Sequence, residues 1–239
     1  MNVQIFIPCF MDQLYPQTAF NMVKVLKKAG CTISYNKNQT CCGQPAFNAG
    51  FRGEAKDVCK KFIKDFSSAD YIVAPSASCV GFVRNYYTDL FKEGVLKADV
   101  FNLQKRIFEF SEFLTNVLRV DHFGAVLKGK ATYHDSCAAL RECKLKTEPR
   151  QLLQQVEGLE LIEMEDVETC CGFGGTFAVK FEDISAAMAD QKVHHALDTK
   201  ADYIISTDIS CLMHLEGYIK HKKIPLKTMH LADVLASGY

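Results

Sequence analysis

Eight of the eleven cysteines fall into two sets of four with the same internal order. Cys9, Cys41, Cys42 and Cys79 form the first set; Cys137, Cys170, Cys171 and Cys211 form the second. Each is built around the same run, Thr40-Cys41-Cys42-Gly43 and Thr169-Cys170-Cys171-Gly172. The offset between matching cysteines is 128 from Cys9 to Cys137, 129 from Cys41 to Cys170 and 132 from Cys79 to Cys211. Ala69-Asp70-Tyr71-Ile72 returns as Ala201-Asp202-Tyr203-Ile204, also 132 positions later. A fixed period of this kind is an internal duplication. Four thiols per repeat is the ligand count of an iron–sulfur cluster or a structural zinc. Neighbouring cysteines suit the cluster better, because several iron corners can each take one thiolate while one tetrahedral zinc needs its ligands fanned out. The glycine after each pair lets the backbone turn there. Free cysteines often serve as small buried hydrophobes, but packing alone gives no reason to keep four thiols in register twice.

Something must bring these thiols together, and the intervening sequence predicts parallel sheets. Short apolar runs at residues 3–7, 31–35 and 71–74 read as strands, and 18–29 and 53–66 as helices, the first ended by Gly30. Helices through Phe91 and over 107–118 complete this half. The second half predicts strands at 131–133, 159–164, 203–206 and 226–229, with helices at 149–156, 183–197 and 231–235. Strands alternating with helices give an α/β fold of two similar Rossmann-like βαβ halves, 1–124 and 125–239, with Gly124 and Gly129 near the boundary. Ligand sites in such sheets form beyond the carboxyl ends of the strands. Cys9 and Cys137 follow the first strand of each half, the paired cysteines the second, and Cys79 and Cys211 the third. Helix N-termini at the same edge favour thiolates. A pseudo-twofold axis with both Cys-Cys-Gly turns facing the junction is expected.

Lys plus Arg equals Asp plus Glu at 28 each, and no basic stripe interrupts the sequence. This argues against a nucleic-acid partner. The apolar run at the N-terminus has no basic residue before it and is too short for a signal peptide, and no run could span a bilayer. A cytoplasmic location is expected, where many cysteines point to metal or redox chemistry more than to disulfides.

The paired motif resembles that of the tandem CCG cysteine-rich domain family. Its members include the cysteine-rich subunit of heterodisulfide reductase, iron–sulfur subunits of glycolate and glycerol-3-phosphate oxidases, and lactate-utilisation proteins. The oxidase subunits usually carry an N-terminal ferredoxin-like module; this sequence starts directly at the first strand, which aligns it with the lactate-utilisation branch. The resemblance implies an iron–sulfur centre, [4Fe–4S] in type, bound by all eight cysteines. It also implies an electron-transfer role in a complex oxidising L-lactate, or a related 2-hydroxy acid, to the 2-oxo acid. The implied partners are a ferredoxin-like iron–sulfur subunit and a third lactate-utilisation subunit. In heterodisulfide reductase a further cysteine follows the last one in a CxxC; here Phe82 and His214 stand at that place. Phe82 cannot ligate. His214 can, and at i, i+3 from Cys211 it would share a helix face with it, which predicts a tighter second centre; alternatively it is a surface histidine. A zinc-stabilised interaction module and a disulfide-reducing thiol protein are the competing readings.

His134 and Asp135 precede Cys137, as a similar pair does in glycolate oxidase subunits. They could hydrogen-bond to the centre or transfer protons, or simply cap the strand end. Cys31, Cys59 and Cys143 have no counterparts in the other half and read as packing residues. Gly172-Phe173-Gly174-Gly175 lacks dinucleotide-loop spacing, and His194-His195 reads as surface.

Overall fold

A computed structural model describes all of residues 1–239. The first half holds β1 (Asn2–Ile5), β2 (Thr32–Tyr35), β3 (Ile72–Ala74) and β4 (Ile107–Glu109), in the spatial order β2-β1-β3-β4. The second holds β5 (Val126–Tyr133), β6 (Glu157–Leu161), β7 (Tyr203–Ser206) and β8 (Lys227–His230), in the matching order β6-β5-β7-β8. Every strand pair is parallel. The doubled α/β architecture is thus the one the sequence predicts. In each half the chain winds to one side of the central strand and then to the other, which opens a crevice at the carboxyl ends of β1 and β5.

The first half's helices are α1 (Cys9–Leu14), α2 (Pro16–Lys28), α3 (Gln44–Asn48), α4 (Arg52–Asp65), α5 (Ala77–Leu90), α6 (Lys97–Gln104) and α7 (Phe110–Glu112). The second half's are α8 (Thr147–Gln154), α9 (Thr176–Lys180), α10 (Glu182–Asp198), α11 (Ile209–Lys222) and α12 (Leu231–Leu235). π-helical turns run over Phe113–Leu118 and Ala138–Glu142. Several boundaries shift by one to three residues, β6 for one ending at Leu161 and not at 164, and two differ in kind or by more. The expected helix over 107–118 starts only at Phe110. Ile107, Phe108 and Glu109 pair with Ile72, Val73 and Ala74 as β4. Glu109 and Glu112 then form a capping box that starts the helix. The first strand of the second half begins at Val126, not at residue 131.

The apolar core is not divided at the boundary between repeats. One buried cluster joins Val3, Met22 and Leu26 of the first half to Ala131, Ile205 and Leu235 of the second. α12 lies on α2, where Asp233 accepts hydrogen bonds from Thr18 Oγ (2.9 Å) and Asn21 Nδ2 (2.8 Å). Ser76 and Asp208, equivalent positions 132 residues apart, form an isolated antiparallel bridge. Equivalent residues meeting antiparallel put the pseudo-twofold axis between them.

Candidate metal centres

In each half the thiols arrive from three loops at the carboxyl edge of the sheet. Cys9 opens α1, just past β1, and Cys79 lies in the first turn of α5, past β3. Cys137 precedes the π-helical turn after β5, and Cys211 lies in the first turn of α11, past β7. The burial order repeats: Cys9 and Cys137 are exposed, Cys41 and Cys170 half-buried, and Cys42, Cys79, Cys171 and Cys211 buried. Cys9 Sγ is 3.9 Å from Cys41 Sγ. Cys42 hydrogen-bonds both Cys41 and Cys79, and Cys171 both Cys170 and Cys211, so each set is contiguous.

Gly43 and Gly172 shape both turns. Their φ values are +94° and +96°, in the region side-chain-bearing residues avoid. A Cβ on Gly43 would come within 2.9 Å of Cys59 Sγ; one on Gly172 would come within 2.6 Å of the Ser185 carbonyl. The chain therefore lies flat on α4 and α10, and the Gly43 and Gly172 amides point at Cys41 Sγ (3.4 Å) and Cys170 Sγ (3.5 Å). Hydrogen bonds from Cys42 and Cys9, with that amide, pull the Cys41 thiol down to about 3. Hydrogen bonds from Cys137 and Cys171 pull Cys170 down to about 2. The donating partners Cys9 and Cys137 move up in turn. In each set one sulfur, Cys41 or Cys170, collects hydrogen bonds from its neighbours, and a soft metal centre would bind the set by displacing the thiol protons.

The surroundings of the two sets differ. Under the first set, Phe6 packs edge-on against Phe62 (ring centroids 4.8 Å) and Phe66 (5.7 Å). Phe82, standing where a fifth cysteine would be, is buried against Phe47, Tyr86 and Tyr87. Under the second set lies His134, with no exposed surface. Its backbone continues β5, giving its N–H to Ile205 O (2.8 Å) and accepting from Ser206 Oγ (2.9 Å). Neither ring nitrogen has a hydrogen-bond partner. A ring nitrogen of His134 and the Sγ atoms of Cys171 and Cys211 lie within 4.8 Å of one another. Burial, then the nearby Lys192 charge, holds the imidazole neutral, down to about 3. An orphaned neutral imidazole beside two thiols fits a metal donor set.

The other expected residues fall elsewhere. His214 Nε2 faces Ser185, 3.2 Å from its hydroxyl, and lies outside the His134, Cys171 and Cys211 group. Asp135 is turned away from the thiols and takes both Arg150 terminal nitrogens, each at 2.9 Å. His194 is exposed and His195 half-buried. Cys59 and Cys31 are buried packing residues; Cys143 Sγ lies 3.4 Å from the Ala77 carbonyl.

Two features escaped the sequence. Lys192, 1% exposed, donates to Asp166 O (2.6 Å) and Val167 O (3.2 Å). Its signal was a lysine in the buried stripe of α10 with Ser185, Ala189, Val193 and Ala196. Asp208 is the other. It accepts from Ser78 N (3.0 Å), Ser78 Oγ (2.9 Å), Ser136 Oγ (3.2 Å), Ser210 Oγ (3.3 Å) and Ser76 Oγ (3.2 Å). Ser78, Ser136 and Ser210 each immediately precede a cysteine of the sets, so one carboxylate braces loops of both. A further contact joins the sets: the Phe10 ring, next to Cys9, lies 6.0 Å from that of Phe173, next to Gly172.

The profile of the CCG cysteine-rich domain matches twice, over residues 3–84 and 131–216. Lactate utilization protein A of Halalkalibacterium halodurans is 44% identical over 235 residues, 98% of this chain and 96% of that one. The protein of that name in Geobacillus thermodenitrificans is 41% identical, covering 98% of both. Lactate utilization protein A 2 of Bacillus cereus is 40% identical over 100% of this chain and 99% of its own. Among solved structures, a hypothetical protein from Helicobacter pylori superposes with a TM-score of 0.60 at 11% identity, over 100% of this chain and 49% of that one.

Proposed function

The chain belongs to the CCG cysteine-rich domain family, and from that premise we propose that it is the iron–sulfur electron-transfer subunit of a complex oxidising L-lactate, or a related 2-hydroxy acid, to the 2-oxo acid. The observation that carries the metal reading is the repeated four-thiol constellation, delivered from matching loops with matching burial. The substrate reading rests on the lactate-utilisation names of full-length relatives at 40–44% identity. A bound cluster would supply one-electron acceptance and release. Cys9, Cys41, Cys42 and Cys79 would hold it in the first repeat, and Cys137, Cys170, Cys171 and Cys211 in the second. Cys9 and Cys137 sit at the open side, where electrons must enter or leave. The buried thiols and the aromatic cluster under Phe6 keep water from the back of the first site. In this reading the partners are a ferredoxin-like iron–sulfur subunit and a third lactate-utilisation subunit, the complex is cytoplasmic, and the repeats are units 1–124 and 125–239. No helix is long and apolar enough to cross a membrane.

A zinc reading draws on the 3.9 Å between Cys9 and Cys41 Sγ, near the roughly 3.8 Å sulfur–sulfur edge of a tetrahedron with Zn–S of about 2.3 Å. Analysis of anaerobically purified protein separates the two. The expected result is iron with acid-labile sulfide and brown colour; zinc at unit stoichiometry without iron would overturn the cluster. L-Lactate should bleach that colour in the assembled complex and not in the isolated chain. A complex that stays brown with lactate and bleaches only with chemical reductant would remove the lactate assignment.

A further inference from the structure

The two thiol sets are alike in sulfur and unlike in what lies beneath them. His134 stands 128 positions after Phe6, the same interval that separates Cys137 from Cys9. Lys192 stands 130 positions after Phe62; Ser185, Ala189, Val193 and Ala196 follow Ala55, Cys59, Ile63 and Phe66 by the same 130, and all of these are buried. The aromatic pair that seals the first site is therefore an imidazole and an ammonium at the second. A buried polar ring is normally satisfied by hydrogen bonds. The His134 ring makes none, with no exposed surface. A ring nitrogen of His134 and the Sγ atoms of Cys171 and Cys211 lie within 4.8 Å of one another. A lone pair left free in such a place fits a metal ion as its partner, as for the imidazoles of mixed sulfur–nitrogen sites. Lys192 keeps its ammonium on two backbone carbonyls close by, where its charge discourages a proton on the ring and offsets the negative charge of thiolates.

We propose that His134 is a nitrogen ligand of the metal centre held by the second thiol set, so that the two centres differ in composition: sulfur alone in the first, sulfur with imidazole in the second. His214, the histidine favoured by spacing, is occupied by Ser185. The inference rests on reading the thiol sets as metal sites, and the test separates the two.

The test uses the full-length protein carrying Cys41→Ser and Cys42→Ser, which leaves only the second set. Pulsed EPR of the reduced, anaerobically reconstituted cluster reads nitrogen bound directly to the metal. Should analysis find no iron, Co(II) added to the apo-protein gives the same readout, so loss of the cluster reading is a separate result. The expected outcome is a directly coordinated nitrogen whose coupling changes on [15N]histidine labelling. It should persist in His214→Gln and be lost in His134→Phe, which restores the residue of the first repeat. If His134→Phe does not fold, the isotope shift together with its persistence in His214→Gln decides. No bound nitrogen in the parent protein, or one that disappears in His214→Gln, overturns the proposal.

Discussion

Gly172 shows how little room the second turn leaves. A methyl group there would meet the Ser185 carbonyl at 2.6 Å and Met188 Cβ at 2.9 Å, on a backbone already at φ +96°. Gly43 is less confined: its nearest neighbour is the Cys59 thiol at 2.9 Å, and the Ala55 carbonyl stands back at 3.3 Å. Both Gly→Ala variants should lose stability, by about 1–3 kcal/mol for the backbone strain alone, with Gly172→Ala the more damaging because backbone yields less than a side chain. Denaturant unfolding of the two variants checks this; equal losses would mean that α10 gives way. At this scale the sulfur atoms were legible, because a duplicated spacing is written directly in the sequence. The nitrogen was less so. Spacing of i, i+3 drew attention to His214, but it says which helix face a residue shares and not which atoms meet there. His134 was visible only as a residue near a strand end, where a group serving the centre by hydrogen bonding or proton transfer and a cap look alike. Lys192 stood in an apolar stripe, a conflict readable only once the helix register is known.

At the scale of elements, the junction of β4 and α7 carries a titratable group. Glu109 is fully buried and caps the helix through the amides of Ser111 and Glu112, while its Oε1 has no partner. Burial, opposed by those hydrogen bonds, pushes its carboxyl up to about 8. The folded chain therefore binds this proton more tightly than the unfolded chain, whose glutamate has a pKa of about 4.3. Its contribution is fully present below that value and is lost as pH rises through about 8. Compared with Glu109→Gln, the native protein should lose melting temperature progressively between about pH 5 and 8; parallel profiles for the two would show that the carboxyl is ionised throughout. The strand itself was hidden because Ile107-Phe108-Glu109 is too short to display a period of two, and the apolar residues that follow fit a helix. Pairing with β3, a contact between distant residues, decided the matter.

For the whole molecule, the repeats are legible as sequence and inseparable as a core. The doubled spacing predicts two similar halves, but nothing local announces that Leu235 will share a buried cluster with Met22 and Val3. Those contacts link α12 to α2 and make the largest buried cluster common to both halves. Thermal or denaturant unfolding should therefore appear as one cooperative transition, coincident by circular dichroism and by tyrosine fluorescence. Two resolved transitions would mean that each half is stable alone.

The axis between Ser76 and Asp208 bears on ancestry. These are one position of the repeat occupied by two different residues, facing each other across the twofold. Two identical subunits could not differ there. With aspartate in both, two buried carboxylates would confront one another. With serine in both, the hydroxyls of Ser76, Ser78, Ser136 and Ser210 would lose the acceptor they now share. Two identical chains are thus barred from the present arrangement, and two copies free to diverge, as the halves of one chain are, can reach it. The same freedom sets His134 opposite Phe6 and Lys192 opposite Phe62. The lopsidedness of the two sites is open to a duplicated chain and closed to a pair of identical ones.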